Sequence, residues 1–296
     1  MAARKKKKKK YRMFWFFAKM QLVLLLAVIA GACWYYFGGY AEEVKDLKTQ
    51  AIELVRHSSK ETFKANQTSI VYASDESVIS TLKGGKDSYY LSITDMPSNV
   101  ECAIVSIEDK KFFRHNGIDY RALLRAVKAM IENGEATQGG STITMQLARN
   151  IFLSQEKTWQ RKVEEMYIAR ELEKKYTKDE ILEFYLNNIY FGNGYYGVEA
   201  AAKGYFNKSV SQLTLSEQAF IAAIPNNPSK YNPLTGFDKT LKRRDLILQQ
   251  MYEADYISYV DYYMAKGENI VLNQPEQEKE DNSVVTYVRH CATESL

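Results

Sequence analysis

The sequence predicts a mainly α-helical body with a small N-terminal β-hairpin, preceded by one transmembrane helix. Three observations predict this. An apolar stretch from Phe14 to Phe37 follows a dense basic run. Beyond Pro97, apolar residues recur at helical spacing behind two Thr-x-x-Glu capping patterns. One segment, residues 69–82, alternates in the manner of paired strands.

The elements follow in order. Residues 1–13 are a basic tail: Arg4, Lys5 to Lys10, Arg12 and the nearby Lys19 supply 9 of the 40 basic residues. No acidic residue precedes Glu42, so the rest of the chain carries 31 basic against 36 acidic residues. A mildly acidic body argues against a nucleic-acid partner. The basic tail beside an apolar stretch suits anionic lipid instead.

Residues 14–37, FWFFAKMQLVLLLAVIAGACWYYF, hold one charge, Lys19, near enough to the end to snorkel. As a helix the stretch would extend about 36 Å, enough for a hydrocarbon core of about 30 Å. Trp15, Trp34, Tyr35 and Tyr36 fall where interfacial aromatics sit. A cleaved signal peptide would have a shorter apolar core and a small-residue exit, and this stretch ends in WYYF. The positive flank predicts a cytoplasmic N-terminus and an extracytoplasmic body: a single-pass protein of the bacterial cytoplasmic membrane.

Residues 38–67 are polar with apolar positions at Val44, Leu47, Ile52 and Val55, and read as a helical stalk. The hairpin of 69–82 is expected to turn at Asp75–Glu76–Ser77. The body, residues 68–260, then turns helical. Thr177 and Glu180 cap the run ILEFYLNNIY; Thr214 and Glu217 cap QAFIAAI, which Pro225 stops. Residues 261–296 form a C-terminal segment that is either a last helix or a lead into a transpeptidase domain. Cys33, Cys102 and Cys291 form no disulfide framework, and the three histidines have no zinc spacing.

Four stretches carry candidate chemistry. In SIEDKKFFRHNGID (106–119), Glu108 and Asp109 stand at the edge of an apolar run beside Phe112, Phe113, His115 and Gly117. Desolvation strengthens a carboxylate as a base, which makes Glu108 a candidate general base or acid; an ordinary ion pair with Lys110 or Lys111 is the alternative. In QGGSTITMQLARN (138–150), two glycines lead into Ser141, Thr142, Thr144, Gln146, Arg149 and Asn150. That is a candidate cradle for phosphate or sugar oxygens, or a simple Ser/Thr-capped helix. In RKVEEMYIARELEKK (161–175), Arg161 and Glu165 share a helix face with Ile168, Ala169 and Leu172, and Glu164 points away to solvent. FGNGYYG (191–197) satisfies G-x-G-x-x-G, but a helix rather than a strand precedes it, so it reads as a glycine turn between two helices.

In this order the stretches resemble the glycosyltransferase domain shared by class A penicillin-binding proteins and monofunctional peptidoglycan glycosyltransferases (glycosyltransferase family 51). The pattern E-D-x-x-F-x-x-H-x-G is met by Glu108, Asp109, Phe112, His115 and Gly117. G-G-S-T-I-T-Q-Q-L-x-K-N is met from Gly139 to Asn150, with Met145 for the first glutamine and Arg149 for lysine. R-K-x-x-E is met by Arg161, Lys162 and Glu165. The resemblance covers roughly residues 70–255.

The resemblance implies a lysozyme-like helical domain that polymerises lipid II onto a lipid-linked growing glycan chain. It implies Glu108 as the base for the acceptor hydroxyl, with inversion at the donor anomeric carbon and release of undecaprenyl pyrophosphate. Glu165 would orient cations or assist the leaving group. Substrate would touch Asp109, Phe112, His115, Ser141, Thr142, Gln146, Arg149, Asn150, Arg161 and Lys162. Met145 would remove an amide from the substrate and so tune affinity. Asp109 would hold the loop or a metal ion, a divalent cation such as magnesium or manganese shared with Glu108, and no organic cofactor is implied. Cell-wall synthesis or division proteins are the expected protein partners.

Overall fold

The computed structural model describes residues 38–64, 69–72, 78–82, 87–133, 139–154, 156 and 158–274, together with positions 20, 21, 25, 26, 30, 31 and 36. The apolar stretch 14–37 lies almost wholly outside these residues. Among those described, no helix is long and apolar enough to cross a membrane. The chain divides into two compact units, residues 1–50 and 51–296.

The described part is mainly helical. In chain order the helices are α1 (Tyr40–His57), α2 (Ser98–Glu108), α3 (Tyr120–Asn133), α4 (Ile143–Phe152), α5 (Trp159–Lys175), α6 (Lys178–Asn188), α7 (Val198–Phe206), α8 (Leu215–Ala222), α9 (Phe237–Glu253) and α10 (Tyr259–Gly267). Both sequence-predicted capping boxes are formed. Thr177 and Glu180 open α6, and Thr214 and Glu217 open α8, each pair satisfying two backbone N–H groups that the first turn leaves over. A third box, Ser258 with Asp261, opens α10.

The predicted hairpin is present: β1 (Ser69–Tyr72) pairs antiparallel with β2 (Val78–Leu82), Ser69 opposite Leu82. Its expected turn at 75–77 lies outside the described residues. A second, two-residue parallel pair joins β3 (Asp87–Ser88) to β4 (Tyr195–Tyr196), and no alternation pattern announced it. β4 lies inside the glycine-rich segment, which is the predicted turn between two helices. Gly192, Gly194 and Gly197 all have positive φ, as does Asn193 between them.

Two helix groups build the second unit. α2 packs against α8 and α9, and α9 against α10; α4 packs against α5 and α6. The core also reaches into the segment assigned to a stalk. Ala51, Val55 and Phe63 are buried, and Phe63 stacks on Phe184 at 3.9 Å between ring centroids. The C-terminal end of α2, at Glu108, faces the first turns of α4, and this junction between the two groups holds the candidate site.

Candidate active site

α2 stops at Glu108 because the next residue leaves the helix: Asp109 has φ −156° and ψ 76°. The break turns both carboxylates toward α4. Asp109 is buried, and its Oδ2 accepts from the backbone N–H of Ile143, the first residue of α4. A carboxylate at a helix N-terminus is stabilised by the unpaired N–H groups there. His115 Nε2 donates to the same carboxylate, 3.0 and 2.9 Å from its two oxygens. Asp109 and His115 therefore brace the loop against α4.

Gly117 completes the brace. Its φ is +87°, and a Cβ there would stand 2.8 Å from the Ala169 carbonyl oxygen of α5, so a side chain is excluded on two grounds. Its own carbonyl accepts from Thr142 Oγ1 at 2.6 Å, and that hydroxyl caps α4 by accepting from the Met145 N–H.

Glu108 is held differently. Its side chain is 6% exposed, with Oε1 3.3 Å from Arg243 Nη2 on α9 and Oε2 accepting from Gln146 Nε2 at 3.0 Å. Gln146 in turn accepts from the hydroxyl of Tyr185 on α6, at 3.1 Å. Burial pushes the Tyr185 hydroxyl well above its ordinary pKa, with the neighbouring Glu108 charge acting in the same direction, so it stays a donor. Each carboxylate oxygen can accept twice, so Glu108 is fixed in place with capacity left for a substrate hydroxyl.

The second cluster joins α5 to the start of α4. Glu165 is 1% exposed and is flanked by Lys162 Nζ at 2.7 Å and Arg161 Nε at 3.2 Å. Lys162 also donates to Ser141 Oγ at 2.6 Å. A carboxylate this buried requires compensation, and it fixes two cations whose own side chains are 15% and 35% exposed. The predicted ridge is present as well: Ile168, Ala169 and Leu172 are fully buried beside it. Glu164 is half-buried rather than solvated, and that burial raises its pKa.

Ser141 to Gln146 thus touches every part of the site: Lys162, Gly117, Asp109 and Glu108. Arg149 and Asn150, further along α4, are half-buried and make no ion pair among the described residues.

Three positions expected at the substrate, and the pair expected to hold a cation, are engaged by the fold. Phe112, expected to touch substrate, is fully buried in the core under Lys178, whose Nζ sits 4.3 Å from the ring centroid. Thr142 is 2% exposed with its hydroxyl engaged twice, and it is a structural cap. Met145 is fully buried with Ile118 and Ala169. The methionine that replaces an amide thus packs under the site.

Finally, Glu108 and Asp109, the pair expected to hold a divalent cation, are held by different partners. All four of their carboxylate oxygens already accept from Arg243, Gln146, His115 or the Ile143 N–H. Among the described residues no cluster of three or more His, Cys, Asp or Glu side chains could hold a metal.

Sequence reasoning missed Tyr185 and Arg243. Tyr185 reads as one more core aromatic in LEFYLNN. Arg243 sits beside Arg244 on an amphipathic helix, where two adjacent arginines read simply as part of the solvent-facing side.

The chain belongs to the transglycosylase family, whose model matches residues 75–252. It carries the glycosyltransferase domain of the class A penicillin-binding proteins. Among its relatives, penicillin-binding protein 1F of Bacillus subtilis is 48% identical over 187 residues, covering 63% of this chain and 26% of the relative. Penicillin-binding protein 4 of the same organism is 38% identical over 83% of this chain and 40% of its own length. Penicillin-binding protein 1A of Escherichia coli is 42% identical over 69% of this chain and 24% of its own length. The crystal structure of penicillin-binding protein 1A from Haemophilus influenzae aligns with a TM-score of 0.43 at 25% identity, covering 78% of this chain and 25% of that one. The chain thus spans 24% to 40% of the length of these curated relatives.

Proposed function

We propose that the chain polymerises lipid II into glycan strands for bacterial cell-wall synthesis, through a lysozyme-like glycosyltransferase domain. One observation carries the reading: a single segment, Ser141 to Gln146, holds the oriented carboxylate of Glu108 at one end and the Lys162–Glu165 pair at the other. The two halves of a glycosyl transfer need these two things. Glu108 takes the proton from the acceptor hydroxyl as its oxygen attacks the donor anomeric carbon from the face opposite the leaving group, giving inversion. The departing undecaprenyl pyrophosphate gathers negative charge, which Lys162, Arg161 and Arg149 offset, with Glu165 fixing the first two.

The substrates are lipid-linked, and α3 supports a body lying against the cytoplasmic membrane. Tyr120, Leu124, Val127 and Ile131 recur on one face of α3 and are all exposed, Ile131 by 79%. Arg121, Arg125 and Lys128 stand among them. A helix with an outward apolar stripe and basic flanks suits a lipid interface. Residues 14–37 would anchor the chain there as a single span with its body extracytoplasmic.

The test is incubation of the full chain with lipid II. Polymeric glycan with release of undecaprenyl pyrophosphate is the expected result. No polymer, or cleavage of preformed glycan, would contradict the reading.

A further inference from the structure

We propose that Arg243 is a positioning residue for Glu108, holding one oxygen of the base while Gln146 and Tyr185 hold the other. The proposal rests on the reading of Glu108 as the base.

The two neighbouring arginines of α9 behave differently. Arg244 is 3% exposed, and its guanidinium is consumed by the fold, donating to Asp245, Ser216 and the carbonyls of Lys266 and Glu268. Arg243 does none of this. Its side chain is 13% exposed, its Nε is buried without a hydrogen-bond partner among the described residues, and its Nη2 is aimed at Glu108 Oε1. Its guanidinium carbon lies 5.0 Å from the ring centroid of Tyr231, a cation–π distance that holds the group in place from behind.

A nearly buried guanidinium with an idle donor is costly to the fold. The compensation is found at Glu108, 135 residues away in sequence. The contact is also loose. At 3.3 Å it is longer than the 2.7 Å of the Lys162–Glu165 pair and than a full charge-assisted bond, about 2.7–2.9 Å. The carboxylate is oriented by it without being saturated.

Gln146 cannot do this alone. It meets Oε2, and a carboxylate held at one oxygen still swings about its terminal torsion, which is broad. Two arms from different helices, α9 and α4, remove that freedom and set which lone pair faces the acceptor hydroxyl.

The test is a double-mutant cycle on the full chain, reading kcat and KM for lipid II and thermal melts for each variant. Arg243→Met keeps the stem and removes the charged fork. It is expected to lower kcat about 10- to 100-fold with KM within about twofold, the loss expected for a misplaced catalytic group. Arg243→Lys restores a point charge and is expected to recover most of that loss. In a Glu108→Gln background, Arg243→Met should have little further effect, because the group it positions is already gone.

If Arg243→Met costs the same factor in both backgrounds, or leaves kcat unchanged where Glu108→Gln alone is impaired, the positioning role is wrong and the base survives. If Glu108→Gln alone is near normal, the base reading fails first. Should Arg243→Met not fold, Tyr185→Phe takes its place on the opposite arm, with the same expectation of non-additivity with Glu108→Gln.

Discussion

Replacing Thr142 by valine separates a structural hydroxyl from a substrate-binding one. The side chain is 2% exposed, and its hydroxyl donates to the buried carbonyl of Gly117 at 2.6 Å while accepting from the Met145 N–H at 3.1 Å. Loss of the cap costs about 1 kcal/mol. The abandoned Gly117 carbonyl adds about 1–2 kcal/mol, because Gly117 is buried. The total of about 2–3 kcal/mol corresponds to a fall in melting temperature of about 4–12 °C for a body of this size. Thr142→Ser keeps both bonds and loses one methyl, about 0.8 kcal/mol. Denaturant unfolding of the three proteins supplies the energies, and lipid II titration below the melting range supplies KM, which is expected to stay within twofold. A valine variant as stable as wild type, or one whose KM rises tenfold, would return the hydroxyl to the substrate and refute the assignment.

Three further outcomes follow from the same structure. Lys162→Ala leaves buried Glu165 with one cation, so turnover should fall at least tenfold with a modest loss of stability; normal polymerisation would remove Lys162 from leaving-group stabilisation. Burial, helped by nearby Asp179, pushes the Glu101 carboxyl up to about 7. The folded state then holds its proton more tightly than the unfolded one, so stability declines as pH rises from about 4.5 to about 7. With solvent screening the effect is on the order of 1 kcal/mol; Glu101→Gln should flatten that slope in pH-dependent melts, and an unchanged slope would contradict the cause. In vesicles carrying the full chain, a lipid-soluble photoreactive probe should label residues 120–131 of α3 besides 14–37; label confined to 14–37 would remove α3 from the membrane.

What the sequence made legible was whatever is encoded locally. Capping boxes are contacts over three residues, so Thr177–Glu180 and Thr214–Glu217 could be read directly. The Glu165 ridge follows from helical period, and the glycine turn from positive-φ residues. Direction at the site was not legible. Motif position alone placed Phe112, Thr142 and Met145 near substrate, whereas all three are buried, Thr142 and Met145 where α4 starts against Gly117 and α5, and Phe112 beneath Lys178. Arg243 was invisible for the opposite reason. Its partner arrives from α2, and only the packing of α9 on α2 brings the two together.

The central claim is that Glu108 is the base, and Glu108→Gln tests it most directly. The amide keeps shape and a hydrogen-bonding oxygen but cannot take a proton. The initial rate of glycan formation from lipid II should fall about 10²- to 10⁴-fold, with lipid II binding and melting temperature retained. Glu164→Gln, one position from Glu165 and on another face, should leave the rate nearly unchanged. A Glu108→Gln protein that polymerises at a near-normal rate would contradict the account.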